Sequence, residues 1–237
     1  MIFAAGLGTR LKPLTDTMPK ALVPICGKPL LLHVLEKLQH AGFDDIVVNV
    51  HHFADMIEDW WAAHPIEGMR IQFSDERSEL LETGGGIKHA VDRLQDAQRF
   101  LIHNVDILSN ADLKALYADP RGEATLLVSQ RDTQRYLLFD DEMRLVGWTN
   151  IKTGEVRSPY PNLRVDECQR LAFSGIHLMN TSLLPLMQEW PERFGIIDFY
   201  LNVCAQHPIY GVEQTGLRLM DVGKIDTLDQ AEAFVAL

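Results

Sequence analysis

With 237 residues, 46% of them hydrophobic, the chain can bury a sizeable core without disulfide or metal staples. Its formal net charge of -11 argues against a nucleic-acid partner, since binding a phosphate backbone needs clustered Lys and Arg. No apolar run approaches the roughly 20 residues of a membrane span and no basic, apolar leader opens the chain, so a soluble protein is expected.

Three cysteines, Cys26, Cys168 and Cys204, are odd in number and widely spaced, with no Cys-x-x-Cys or Cys/His pattern. Reduced thiols in the cytoplasm follow. The charge is unevenly spread: residues 1 to 28 hold Arg10, Lys12, Lys20 and Lys28 against the single carboxylate Asp16. Four cations among glycines and prolines suit a small anionic ligand, while the acidic remainder discourages nonspecific polyanions.

In chain order, Ile2 to Ala4 reads as a strand feeding a Gly-rich turn. Pro29 suits a first helical position, and Leu30, Leu31, Val34, Leu35 and Leu38 recur at helical spacing until Gly42. Ile46 to Val50 is a β-branched run typical of a buried strand; 53 to 63 predicts a helix, Arg70 to Phe73 a strand, Ile87 to Leu94 a helix and Phe100 to His103 a strand. Alternating strand and helix implies an α/β protein with a parallel sheet covered on both faces and a ligand at the carboxyl ends of the strands.

The second half changes character. Ala124 to Gln130, Tyr136 to Phe139, Arg144 to Trp148 and Leu171 to Leu178 predict strands without intervening helices, an antiparallel or mixed extension of the sheet. Residues 150 to 168 read as a long loop or hairpin, 181 to 190 and 196 to 206 as helical, 209 to 220 as short strands and Asp226 to Phe234 as a closing helix. No repeat interrupts the chain, so 1–237 is expected to be one domain whose character changes near residue 120.

Two familiar phosphate motifs fail on the opening stretch. A dinucleotide fingerprint needs a third Gly where Leu11 follows Gly6 and Gly8, and a Walker loop needs a Gly where Leu22 precedes Gly27-Lys28. The run Gly6-Leu7-Gly8-Thr9-Arg10, then Pro19-Lys20, then Leu22-Val23-Pro24 and Gly27-Lys28-Pro29-Leu30 instead resembles the signature of the sugar-phosphate nucleotidylyltransferases. These enzymes make an NDP-sugar and pyrophosphate from an NTP and a sugar 1-phosphate. The resemblance implies a three-layer, Rossmann-like fold, Mg²⁺ as cofactor, an NTP and a sugar 1-phosphate as ligands, and a monomer or small homo-oligomer.

It also implies roles. Arg10 resembles the arginine that grips the β- and γ-phosphates, a task suited to a planar fork of donors, and Lys20 the lysine near the α-phosphate. Backbone N–H groups from Ala4, Ala5, Gly6, Gly8 and Thr9 can approach phosphates closely. Asp106 and Asp221 stand where the family keeps two metal-binding aspartates, Asp106 also counting as catalytic. Thr83, Gly84 and Gly85 fall at the nucleobase position, where glycines let a flat base lie on backbone. Gly175, inside a strand pattern, and Asp198 are implied on the sugar side.

Within the family the resemblance runs first to the N-acetylmuramate 1-phosphate uridylyltransferases, through Glu82-Thr83-Gly84-Gly85-Gly86 and Phe173-Ser174-Gly175-Ile176, and second to mannose 1-phosphate guanylyltransferases. A phosphocholine cytidylyltransferase, its choline held by Trp148, Tyr160 and Asp198, is a third reading. A non-catalytic, NDP-sugar-sensing relative is a fourth, against which Arg10, Lys20, Asp106 and Asp221 all stand. His51, His52 and His103 lack the partners of a zinc site and are not expected to act in catalysis.

Overall fold

The computed structural model describes residues 1–236. Its first half lays down β1 (Ile2–Phe3), a small hairpin of β2 (Pro24–Ile25) and β3 (Lys28–Pro29), then α1 (Leu30–His40), β4 (Asp45–Val50), α2 (Ala54–Ala63), β5 (Arg70–Asp75), α3 (Glu82–His89), α4 (Val91–Leu94), β6 (Arg99–Asn104), β7 (Ile107–Ser109) and α5 (Leu113–Ala118). Helix α1 forms because five of its apolar residues, Leu30, Leu31, Val34, Leu35 and Leu38, fall on one face, all at 2% exposure or less. It stops at Gly42, whose φ of 87° lets Gly42 and Phe43 donate back to the carbonyls of Gln39 and Leu38.

Strands β5, β4, β1 and β6 lie side by side in that order, every pair parallel. The chain steps outward from β1 through β4 to β5, then α3 and α4 carry it back past β1 to β6. Such a reversal of strand order opens a crevice at the carboxyl ends of the two strands flanking it. Alternate residues of β4 serve the two faces of the sheet: Val47 packs with Ile87 and Leu94 of α3 and α4, whereas Ile46 and Val48 pack with Leu31 and Leu35 of α1. Helices on both faces make the three layers.

The second half contributes β8 (Ala124–Ser129), β9 (Arg135–Phe139), β10 (Leu145–Asn150), β11 (Glu155–Arg157), β12 (Gln169–Asn180), α6 (Ile196–Val203), β13 (Ile209–Val212), β14 (Leu219–Asp221) and α7 (Leu228–Val235). The long β12 joins the two regions: residues 176 to 180 run antiparallel to β6, while Gln169 to Leu171 pair with β9. Its register against β8 slips between Phe173 and His177, around Gly175 at φ 72°. Strands β9, β10 and β11 form an antiparallel extension, and β14 returns to pair with β7.

Three local expectations change. Pro29 ends β3 and caps α1 from outside instead of opening it. Helix α3 starts at Glu82, five residues ahead of Ile87, and takes in Gly84, Gly85 and Gly86 because the helix is packed too tightly on its neighbours to carry side chains there. The segment after β12 is a 3-10 helix, Thr181–Met187, containing Pro185, whose missing N–H suits an isolated turn better than an α-helical interior. Helix α5 was not legible from periodicity; Asp112 starts it by accepting the amide N–H of Ala115 at 2.9 Å.

Candidate active site

The turn after β1 is shaped by one glycine in particular. Gly8 has a φ of 61°, and a Cβ there would lie 2.8 Å from the Thr15 methyl. Its carbonyl accepts from both Thr15 Oγ1 and the Leu11 amide at 2.8 Å, which folds the turn back on itself. Gly6 has no atom within 4 Å of its ideal Cβ, so it faces open space.

Behind the turn runs a buried polar relay. Asn49, at the end of β4, accepts the amide N–H groups of Ala4 and Ala5 on its Oδ1 at 2.7 and 3.3 Å. Its Nδ2 donates to Glu76 Oε1 at 2.7 Å, and Glu76 Oε2 accepts the Leu81 amide at 3.2 Å. Burial raises the Glu76 carboxyl above its ordinary range, and the donors from Asn49 and Leu81 oppose that rise. Gly86 leaves room for the pair, since a Cβ there would sit 2.8 Å from Glu76 Oε1. Strand β4, the turn and the approach to α3 are thereby tied to one another.

Across the crevice, Asp106 follows β6 and Asp221 ends β14. The Val222 amide donates to the Asp106 carbonyl at 2.8 Å, so the two aspartates are held side by side although 115 positions separate them. Asp221's carboxyl is pushed up first by burial and then by the charge of Asp106, against the pull of Lys20, Arg10 and Arg131. The Lys20 ammonium, 9% exposed at its side chain, pairs with Asp106 Oδ2. Gly223 fits between Asp221 and Arg10: a Cβ there would stand 2.6 Å from Asp221 Oδ1 and 2.7 Å from Arg10 Nη2. Two neighbouring carboxylates whose charges disfavour each other suit a hard divalent cation completed by phosphate oxygens. Among the described residues no group of three or more His, Cys, Asp or Glu forms a metal cluster, so protein alone would supply an incomplete ligand set.

A cavity of about 530 Å³ lies at the β1/β6 crevice, lined by Ala4, Ala5, Gly6, Gly8, Thr9 and Arg10 of the turn and by Lys20, Glu82, Thr83 and Asp106. Asp221 does not line it directly; its neighbour Gly223 does. Gly84 and Gly85 do not line it. Their amides both donate to the Phe194 carbonyl, at 2.8 and 3.2 Å, and their Cα atoms press on the Phe194 ring and the Glu192 carbonyl. Close packing of α3 on the 192–194 loop accounts for those two glycines. Thr83 Oγ1 accepts the Ile196 amide at 2.9 Å, and Glu82, at φ 63°, pairs with Arg193.

A second cavity, of about 550 Å³, opens on the antiparallel extension. Asp198 belongs to it and pairs there with Arg157, whose guanidinium lies 4.1 Å from the Trp148 ring centroid. Gly175 reaches neither cavity directly; it makes room for Asn104, because a Cβ there would lie 2.8 Å from Asn104 Nδ2, and Asn104 lines the first cavity. The choline box expected from Trp148, Tyr160 and Asp198 is not assembled, since Tyr160 lies in a separate surface depression with Cys168. Asn49, Glu76, Asn104, Arg131 and Arg157 were not legible as site residues. The only signal for Asn49 was a polar residue inside an apolar strand run.

The histidines hold no such position. His103 is buried within β6 and its pKa is lowered to about 4 by desolvation; His51 Nδ1 contacts the Glu76 carbonyl at 2.6 Å. No helix among the described residues is long and apolar enough to cross a membrane.

Residues 1–136 match the nucleotidyl transferase family. An N-acetylmuramate alpha-1-phosphate uridylyltransferase of Neisseria meningitidis serogroup B is 43% identical over 233 residues, covering 98% of this chain and 96% of its own. One of Caulobacter vibrioides is 34% identical over 249 residues, covering 100% of this chain and 96% of its own. Among solved structures, HddC from Yersinia pseudotuberculosis shares the fold, with a TM-score of 0.77 at 22% identity, covering 99% of this chain and 97% of that one. The chain belongs to the sugar-phosphate nucleotidyl transferase family and is an enzyme of that family.

Proposed function

We propose that the protein transfers a uridylyl group from UTP to N-acetylmuramate 1-phosphate in the cytoplasm, with Mg²⁺, releasing pyrophosphate. The observation that carries this reading is the meeting of the 4–10 turn, Lys20, Asp106 and Asp221 at one crevice, four segments whose charges suit a polyphosphate beside a divalent cation. Residues 1–120 supply the NTP side of this reading and 121–237 the acceptor side. Uridine and the muramate are supported by the names of two relatives that match almost end to end. The free state of Cys26, Cys168 and Cys204 supports a reducing compartment.

In this reading the ionised phosphate of the sugar attacks the α-phosphorus of the NTP. One P–O bond forms, the bond from the α-phosphorus to the bridging oxygen breaks, and its electron pair leaves with pyrophosphate. No side chain is required as a strong base, because the nucleophile is already charged. Positioning and charge neutralisation therefore supply most of the acceleration.

Arg10, which has no carboxylate partner among the described residues, offers a free guanidinium to the departing pyrophosphate. The amides of Ala4 and Ala5, expected at the phosphates, are instead spent on Asn49 Oδ1, which fixes the turn from behind and leaves the amides of Gly6, Gly8 and Thr9 for the phosphates. Lys20 holds the Asp106 carboxylate and brings a positive charge to the end of the cavity. Asp106 and Asp221 would hold Mg²⁺, which when bound neutralises phosphate charge.

The test is pyrophosphate release across four NTPs and a panel of sugar 1-phosphates. Release with UTP and N-acetylmuramate 1-phosphate, abolished by chelation and cut at least 100-fold in Asp106→Asn, is expected. Preference for GTP with mannose 1-phosphate would replace the substrate pair. Silence with every pair would remove the catalytic reading.

A further inference from the structure

Among the described residues none lines both cavities, yet one hydrogen bond joins their walls. Arg131, Arg135 and Arg157 line the second cavity from the strand side, and Ile197 and Asp198 close it from the first turn of α6. That turn has no side-chain cap from its own N-cap residue. Gly195 stands there, and it has to be small: a Cβ would lie 3.2 Å from Asp198 Oδ2 and 3.9 Å from Glu82 Oε2. The missing cap comes from α3. Thr83 Oγ1 accepts the Ile196 amide at 2.9 Å across 113 positions, satisfying one of the four amides a helix start leaves without a partner, while Thr83 itself lines the first cavity.

Other hydrogen bonds also fasten this region to α3, but they fall ahead of the helix. The Gly84 and Gly85 amides hold the Phe194 carbonyl, the Phe194 amide donates to the Leu81 carbonyl at 3.3 Å, and Lys88 Nζ reaches the Trp190 carbonyl at 2.8 Å and Glu192 at 2.7 Å. Of these bonds, Thr83's is the one that lands on a residue of α6. Its direction is fixed from behind: Glu82 is held at φ 63°, a backbone conformation that costs energy for any residue with a Cβ, and is tied down by Arg193. A hydroxyl suits the task because it accepts the Ile196 amide and keeps its own proton for the crevice. On the far side, Asp198 is the third residue of α6 and pairs with Arg157, which stacks on Trp148. A helix start that frays would displace Asp198, and the arginine with it.

We propose that Thr83 is a positioning residue for the acceptor cavity: its hydroxyl caps α6 from the nucleotide side and so fixes Ile197, Asp198 and, through Asp198, Arg157. The proposal rests on the acceptor assignment above and adds the contact that holds that cavity's helical wall against the crevice.

The experiment measures steady-state rates with UTP, N-acetylmuramate 1-phosphate and Mg²⁺ in wild type, Thr83→Val, Thr83→Ser, Asp198→Ala and the Thr83→Val, Asp198→Ala double variant. Thr83→Val keeps the shape and removes the acceptor; it should raise KM for the sugar 1-phosphate about five- to tenfold with a smaller change in kcat, and Thr83→Ser should return KM close to wild type. In the Asp198→Ala background the same change should add less than about twofold, since both residues act through one helical turn. An acceptor KM that does not move in Thr83→Val, a rise confined to KM for UTP, or an undiminished rise on top of Asp198→Ala overturns the positioning role while leaving nucleotidyl transfer intact. If Thr83→Val does not fold, Thr83→Cys, a weak acceptor at the same place, carries the same comparison with Thr83→Ser. Absence of pyrophosphate with every acceptor overturns the reaction, and this role with it.

Discussion

The two cavities are built from different materials. The one at the β1/β6 crevice is built around a backbone turn, residues 4 to 10, which Gly8 folds back in a left-handed conformation and which Asn49 ties to Glu76 through the Ala4 and Ala5 amides. The one on the antiparallel extension is walled by long side chains, three arginines and a tryptophan on strands β9 to β11 and the loop before them. Backbone suits phosphates, which are alike in every nucleotide and need close approach. Side chains suit the acceptor, whose identity can be altered by changing one residue without disturbing the sheet. If the proposed reading holds, catalysis and selectivity rest on separable parts of the molecule, a separation that the following predictions probe.

The largest effect is expected at Asp221. In Asp221→Asn, kcat should fall by about two to three orders of magnitude, as when one preorganised charge contact in a transition state is lost. Stability should hold or rise slightly, because burial and Asp106 both disfavour the charge that is removed. A variant whose melting temperature falls along with its activity would show that Asp221 is structural.

Asn49→Leu comes next. It strips the acceptor from the Ala4 and Ala5 amides and a donor from the buried Glu76 carboxylate, a combined cost of about 2–4 kcal/mol. The KM for the NTP should rise while the KM for the sugar 1-phosphate stays fixed. An equal rise in the sugar 1-phosphate KM would mean that the two cavities are coupled.

Acid stability tests the strands beneath both sites. Burial lowers His103 to about 4 and His177 to about 3, from 6.5 in each case. Above pH 6.5 neither state binds the protons. Below it the unfolded chain takes them up and the native one does not, so stability is lost as pH falls through the window from 6.5 to about 4 and 3. Each histidine contributes a slope of about 1.4 kcal/mol per pH unit inside that window. Burial also lowers the Met1 amine from 8.0 to about 5, a third share in the same direction; both His177 ring nitrogens lack partners, so His177→Leu should fold and cut the slope measured by urea unfolding between pH 7 and 5 by about a third. An unchanged slope would exclude His177 as its source.

The smallest effects separate the two glycines of the turn. Gly8→Ala meets both a positive φ and the Thr15 methyl, and should lose about 1–3 kcal/mol of stability with a higher KM for the NTP. Gly6→Ala has open space and should melt within a degree or two of wild type. Equal losses at the two positions would indicate that both glycines serve only to loosen the turn.

Much of the first cavity was legible because its chemistry is contiguous. Gly8, Thr9 and Arg10 adjoin, Lys20 follows within one supersecondary unit, and Asp106 stands at a strand end where an α/β sheet places ligands. The glycines of α3 were misleading for a physical reason: a glycine that admits a ligand and one that admits a phenyl ring have the same sequence signature. Only the contact of Gly84 with Phe194, 110 positions away, tells them apart. Asn49, Glu76, Arg131 and Arg157 were silent because each acts through a partner distant in sequence.

The sequence by itself determined the alternation of strand and helix, the Gly-rich turn after β1 and the reaction class, since these depend on local periodicity and on residue types close together in the chain. Tertiary structure alone decided that Asp221 lies beside Asp106, that Asn49 and Glu76 support the turn, and that Arg131, Arg135 and Arg157 share a cavity. Those relations are made by strand order, β12 crossing from one region to the other, and by β14 returning to β7. Strand order depends on which buried faces meet across the whole chain, and no local stretch of sequence carries that information.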